Sequence, residues 1–461
     1  MSTPREIEGR WWTPDCPEDA RFGTLREDED GGLTLRTKDA RSLSMEDIFR
    51  DGERFSSQPL MCGRDAGDKP VTLLHCMEEG SHRAGGMLER DYGVAFALHG
   101  FEATTQDEVR FARVVADFTH LQAWLNLSCL KETQEDGTTC IRYRYPDDIP
   151  FTLTDGTRVT IRAHLSSSSG QWGDPCFTFK DRRLVEFTFT QPLGLTAILD
   201  RLMSFRWLLT LLVGKTVQLT KLIVLVPGLR DDTGLETNIE VLGHHIDRSP
   251  PPKSPHAPLM LATFAAVQPD FATLLSRWAE YHDRLAAVLS LYFSVRFNRE
   301  LYSNHRFLFL AQALEVYHGL TASSAIAPTA EYKRRLKQVL SAVAAGDRAW
   351  VGDAMRFANK KTLAQRLDEI LARHPDEAAR IAGDMPDFAD KIRHTRNYYT
   401  HFEERMKKRN KVAGETELIL LTERMQRLLE VCFLKDLGLD GPAVRKTAGK
   451  PLPRVEMVNL Q

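Results

Sequence analysis

The sequence predicts an α+β protein, with a β-rich N-terminal domain followed by an all-α helical bundle. Three observations predict it. Apolar residues alternate with polar ones through the first half of the chain. A proline-rich stretch, SPPPKSPHAP, occupies 249–258. Beyond it the apolar spacing changes to the threes and fours of helices. A chain of 461 residues suggests two or three domains, and 42% hydrophobic residues suffice for ordinary cores.

Taken in order, Trp11 and Trp12 are expected to fill the β-domain core. Residues 141–145 alternate apolar residues with Arg. Val159, Ile161 and Ala163 alternate with Arg158, Thr160 and Arg162. Val185, Phe187 and Phe189 alternate with Glu186, Thr188 and Thr190. A period of two in β-branched and aromatic residues marks half-buried strands. Asp155-Gly156 between two such runs signals a tight hairpin. The most apolar stretch, 202–226, is interrupted by Arg206, Lys215 and Lys221, whereas a membrane span needs about 20 apolar residues. It reads instead as a buried helix over 193–213, capped by Gly214, and a strand over 217–226. The prolines of 249–258 forbid helix and ladder alike, so the boundary is placed there. The resulting domains are 1–248, a linker at 249–258, a helical domain at 259–445 and a tail at 446–461. Helices are expected at 269–297, 302–320, 328–346, 359–383, 385–409 and 415–437, joined by short turns as in a bundle.

Net charge is −2, so no global positive field attracts nucleic acid, and any RNA affinity must come from local patches. The seven cysteines are dispersed and show no CxxC pair. That pattern favours reduced thiols in a cytoplasmic setting, and neither a disulfide framework nor a zinc site is expected. The N-terminus, MSTPREIEGRWW, lacks the apolar core of a signal peptide. No cofactor, metal or membrane partner is expected.

The chemistry-bearing segment is DKIRHTRNYYTHF, which contains R-N-x3-H from Arg396 through Asn397 to His401. The looser R-x4–6-H spacing also matches Arg113/His120, Arg158/His164, Arg277/His282 and Arg299/His305, but only Arg396 is followed by Asn. Asp384 is expected to cap this helix, with Pro386 in its first turn. Phe388, Ile392, Thr395, Tyr399, Phe402 and Met406 form the stripe expected to face a core. At about 100° per residue, Asn397 and His401 lie about 40° apart and opposite that stripe, while Arg396 lies about 140° from His401. His exchanges protons near neutral pH, and Arg holds phosphate charge with permanently charged donors. Asn397 can orient the imidazole or a phosphate oxygen. The bland alternative is a solvated helix face that carries a His. His394 and His401, about 10.5 Å apart along the axis, are too distant to share one metal unaided.

The C-terminal half resembles a HEPN domain (higher eukaryotes and prokaryotes nucleotide-binding) of the ApeA-like type. R-N-x3-H is the signature, and FLFLAQALEVYHGL at 307–320 resembles the family's Leu-Glu-x-Tyr-His helix. GRWWTPD at 9–15, FGTL at 22–25 and the Phe118/Leu121/Trp124 spacing resemble the ApeA N-terminal domain. The resemblance implies a metal-independent endoribonuclease in anti-phage abortive-infection defence, with transfer RNA as a substrate guess. It further implies a homodimer or larger even assembly, a regulatory N-terminal domain and a phage-derived trigger. It makes Arg396 and His401 catalytic, with Asn397 as their polar helper. Glu315 matches an acidic position of the earlier helix, where an accessory role and a plain ion-paired carboxylate stay open. Lys407, Lys408, Arg409 and Lys411 form a run that suits RNA phosphates or simply a charged helix end. The competing functions are a non-catalytic HEPN module that binds RNA or nucleotide as an antitoxin or scaffold, and a structural oligomerisation protein.

Overall fold

Alternation along the first strands builds a closed barrel. In the computed structural model, which describes residues 5–39, 57–84, 87–169, 177–230, 236–248, 252–298, 300–385, 387–402 and 411–452, six strands form it. They are β1 (Glu6–Trp12), β2 (Arg21–Glu27), β3 (Leu33–Asp39), β4 (Ser57–Asp65), β5 (Pro70–Ala84) and β6 (Met87–His99). The order β6-β3-β2-β1-β4-β5 returns on itself because β5 also pairs with β6, and every pairing is antiparallel. Trp11, 1% exposed, packs in the barrel core with Leu25, Leu35, Leu73 and Val94, while Trp12 is only half-buried. Gly63 lies against the Trp11 ring so closely that a Cβ there would sit 2.3 Å from it, so glycine is required.

The sheet then runs outward from β6 through β14 (Glu236–Leu242), β13 (Leu219–Arg230), β7 (Arg110–Phe118), β12 (Phe177–Gly194), β11 (Arg158–Ser169) and β10 (Ile149–Thr152). The Asp155-Gly156 turn joins β10 to β11, with Gly156 at φ 83°. Two short helices and one long one follow the expected course. Helix α1 (Leu121–Leu125) precedes the long α2 (Leu195–Val213), which ends on Gly214 at φ 74°. Phe205 of α2 packs on Phe118 and Phe187 of the sheet at 5.4 and 5.6 Å between ring centroids.

Residues 141–145 depart from expectation. β9 (Thr138–Tyr143) pairs only with β8 (Leu130–Glu135), in a separate two-stranded sheet. Nothing buries a face of that hairpin, so Ile141 and Tyr145 are 60% and 61% exposed. Its turn, Asp136-Gly137, has positive φ at both residues, the geometry that suits a two-residue hairpin.

The chain divides into compact units at Ser276/Arg277, later in sequence than the proline-rich connector. The physical reason is local packing. Trp124 donates its Nε1–H to the Ala262 carbonyl at 2.8 Å, and its ring contacts Phe264, in α3 (Phe264–Val267), and Phe271. The Ala262 N–H bonds the Leu212 carbonyl. The segment after the prolines therefore completes the β-rich unit.

The second unit is helical. Its elements are α4 (Phe271–Arg284, which crosses the division), α5 (Ala286–Phe297), α6 (Ser303–Thr321), α7 (Thr329–Ala342), α8 (Arg348–Met355), α9 (Leu363–Arg373), α10 (Pro375–Ala382), α11 (Phe388–His401), α12 (Glu415–Asp436) and α13 (Pro442–Ala448). The single helix expected over 269–297 breaks at Leu285, where φ is −110° and ψ 21°. That expected over 359–383 breaks at His374, because Pro375 cannot continue a helix but starts one well. Helix α12 is the buried centre. Asp436 accepts from both Tyr281 and Tyr317 at 2.9 Å, and Glu430, 1% exposed, accepts from Tyr292 and Gln426.

Candidate active site on a helix of the second unit

Helix α11 carries the Arg-Asn-His segment. Its N-cap is Asp387, without a side-chain capping bond. Asp384, expected in that role, instead accepts from Arg424 at 3.1 Å, because the buried Arg424 guanidinium draws it toward α12. Pro386 lies outside the described residues. The stripe holds for Phe388, Ile392 and Thr395, which are buried, and Tyr399 is half-buried against Phe307. Thr395 Oγ1 accepts the Ala413 N–H at 3.0 Å, tying α11 to the chain entering α12. The stripe fails at Phe402, which is 63% exposed. There the backbone turns left-handed, at φ 52°, so the helix stops at His401 instead of continuing to 409. Met406 lies outside the described residues.

Facing α11, helix α6 presents Leu308, Gln312, Glu315 and Gly319 along one side, as spacings of three and four dictate. Between them opens a cleft of about 730 Å³, with Arg396 and Thr400 on the α11 side and Arg366 of α9 beside Glu315. Its walls are otherwise apolar, from Leu308, Phe309, Val316 and Leu320. Glu315 stands between two guanidinium groups. Arg396 Nη2 donates to its Oε2 at 3.4 Å, and Arg366 Nη1 lies 3.6 Å from its Oε1. Arg366 also donates to the Glu315 and Lys361 carbonyls, at 3.4 and 3.1 Å. Arg396 Nη1 donates to Asn397 Oδ1 at 3.3 Å. The geometry thus gathers Arg396, Asn397 and Glu315. His401 is exposed at the helix end, and neither it nor Asn397 lines the cleft.

Two family models match the chain: ApeA N-terminal domain 1 over residues 6–278, and Apea-like HEPN over 308–441. The chain is an ApeA-like HEPN protein. No curated protein and no solved structure matches it. The first match ends beside the division between the units, and the second spans α6 through α12, so every candidate side chain from Glu315 to Lys411 falls within the HEPN match. An ApeA-like HEPN domain points to a HEPN-type defence protein, and HEPN domains are generally RNases that bind RNA and dimerise.

Arg366 is the residue of this HEPN protein's cleft that sequence reasoning missed. It lies 51 residues from Glu315, and no periodicity links the two. His318, from the Leu-Glu-x-Tyr-His segment, is fully buried and meets Glu369 at 2.7 Å, a structural contact between α6 and α9. Lys411 is exposed, and Lys407, Lys408 and Arg409 lie outside the described residues, as does Arg299 of the decoy pairs. In another decoy, Arg113 pairs with Glu186 at 3.3 Å and His120 bonds Ser254 at 2.9 Å, so each has a separate structural partner. Among the described residues, no helix is long and apolar enough to cross a membrane, and no group of three or more His, Cys, Asp or Glu could hold a metal ion.

Proposed function

We propose that this ApeA-like HEPN protein is an endoribonuclease whose site is Arg396, Asn397 and His401, with Glu315 as accessory and the β-rich unit as regulator. One observation carries the reading: Arg396 is held at the edge of an open cleft by Glu315 and Asn397, with the exposed His401 about 7.5 Å further along the same helix. The reaction suits these groups. The ribose 2′-oxygen loses its proton to a base and attacks the adjacent phosphorus. The P–O5′ bond breaks, and the 5′-oxygen takes up a proton. The products are a 2′,3′-cyclic phosphate and a 5′-hydroxyl, and no metal is required. His401 serves as base or acid. Arg396 stabilises the phosphorane charge. Asn397 contacts Arg396, so it orients the guanidinium before any phosphate arrives.

A two-fold pair of chains supplies two His and two Arg side chains, enough to divide the acid and base roles. Transfer RNA is the first substrate to test, and Lys411 with the neighbouring 407–409 run is the first place to look for phosphate contacts. The deciding experiment compares RNA cleavage and phage protection by wild-type and His401→Ala protein. General acid–base catalysis contributes roughly 10²- to 10⁴-fold, so a loss of about that size with an unchanged melting temperature is expected. A folded His401→Ala protein that cleaves at the wild-type rate overturns the reading.

The Arg396–Glu315 pair also favours a second reading, a non-catalytic RNA- or nucleotide-binding scaffold in which Arg396 is a strut between α6 and α11. In that case Arg396→Ala lowers the melting temperature, His401→Ala changes nothing, and RNA is bound without products.

A further inference from the structure

The sheet of the N-terminal unit has one face covered by α2 and one face open. On β7, Val114, Ala116 and Phe118 are at most 3% exposed and Phe118 packs on α2, so alternation turns Arg113, Val115 and Asp117 to the other side. Register sets Lys221 opposite Asp117, Ile223 opposite Val115 and Leu225 opposite Arg113. Across β11 and β12 it sets Arg162 opposite Leu184 and His164 opposite Arg182. The result is a cleft of about 650 Å³ with an apolar floor of Val115, Leu184, Ile223 and Leu225 and a rim of Arg113, Arg162, Arg182 and Lys221. A second cavity, of about 440 Å³, shares Asp117 and Arg182 with it.

Charge and hydrogen bonding both leave something for a ligand to complete. Glu186 is shared between Arg113 and Arg162, at 3.3 and 2.6 Å. Asp148 lies 3.2 Å from Arg162, and Asp117 lies 3.6 Å from Arg182. Three carboxylates thus face four permanent cations and His164, a local positive surplus in a chain of net charge −2. Burial pushes the Asp117 carboxyl up, against the pull of Arg182 and Lys221, which weakens the negative side further. The second observation is His120, 5% exposed, on the wall of the smaller cavity. Its Nδ1 meets Ser254 Oγ at 2.9 Å, while its buried Nε2 has no hydrogen-bond partner among the described residues. Buried side-chain nitrogens are seldom left so.

We propose that this open face is a binding site for a nucleotide, with the base on the apolar floor, the phosphate on Arg162, Arg182 and Lys221, and a polar group of the ligand meeting His120 Nε2. A volume of this size holds one small molecule, with apolar walls and few polar groups, as ligand sites do. The cations ring one hollow instead of forming the extended track that a nucleic-acid strand requires. The site is separate from α11 and stands whether or not α11 cleaves RNA.

The test is titration calorimetry on the full chain with ribonucleoside mono- and triphosphates, inorganic phosphate and a short single-stranded RNA. At least one nucleotide is expected to bind with micromolar affinity. Arg182→Ala, at a side chain 57% exposed, is expected to weaken it about tenfold or more without lowering the melting temperature. Lys221→Ala is expected to act in the same direction, and His401→Ala to leave binding unchanged. The proposal fails if no nucleotide binds at millimolar concentration, or if inorganic phosphate binds as tightly as every nucleotide. It also fails if the RNA strand binds in preference, if neither rim substitution weakens binding, or if His401→Ala abolishes it.

Discussion

Replacing Thr395 by Val tests how α11 is held in place. The side chain is fully buried, and its Oγ1 accepts the Ala413 N–H at 3.0 Å. Valine keeps the shape and removes the acceptor, leaving a backbone N–H unsatisfied at a residue only 5% exposed. An orphaned buried donor costs about 1–3 kcal/mol. In a unit of this size that lowers the melting temperature by roughly 2–12 °C. Thr395→Ser keeps the oxygen and loses a methyl group, about 0.8 kcal/mol of burial, and so separates the hydrogen bond from packing. Because two units need not melt together, hydrogen exchange at the Ala413 amide is the sharper assay. Valine should speed that exchange about fivefold or more, and serine much less. If the amide is as protected in Thr395→Val as in wild type, and the two variants melt together, the bond does not anchor α11 and the reasoning fails.

Three further outcomes follow from the same structure. Cleavage products formed in the presence of a chelator should carry 2′,3′-cyclic phosphate or 3′-phosphate ends. Activity that returns only with magnesium, with 3′-hydroxyl ends, would contradict the His–Arg chemistry. If Arg396 and His401 act across a two-fold interface, mixing Arg396→Ala and His401→Ala chains should restore part of the activity, as mixed dimers regain one intact site. No recovery, or a fully active monomer at nanomolar concentration, would sink the composite site. Lys361 and the buried His318 both hold the Glu369 carboxyl below its ordinary value. A carboxylate depressed in the folded state stabilises fully above the unfolded value, about 4.3, and that stabilisation is lost as pH falls through the lower folded value. Glu369→Gln should therefore flatten the acid limb of a stability–pH curve, and an unchanged limb would show that the contact contributes nothing.

The sequence by itself determined whatever local spacing encodes. Alternation marked β11 and β12 because side chains on a strand have a strict period of two. Gly214 marked the end of α2 because its φ of 74° suits a residue without Cβ. The Arg-Asn-His segment announced itself on a helix with Phe388, Ile392 and Thr395 inward, since a period of 3.6 is also local. Only the tertiary structure decided the rest. β9 alternates like a half-buried strand yet stays exposed, because burial depends on which sheet it joins. The division between units falls beyond the prolines because Trp124, far upstream, claims Ala262, Phe264 and Phe271. Helix α11 stops at His401 through a left-handed Phe402, a conformation that no residue preference for Phe would announce. Arg366, Glu315 and Arg396 meet across separations of 51 and 81 residues, and charges so distant in sequence leave no periodic trace until helix packing brings them into one cleft.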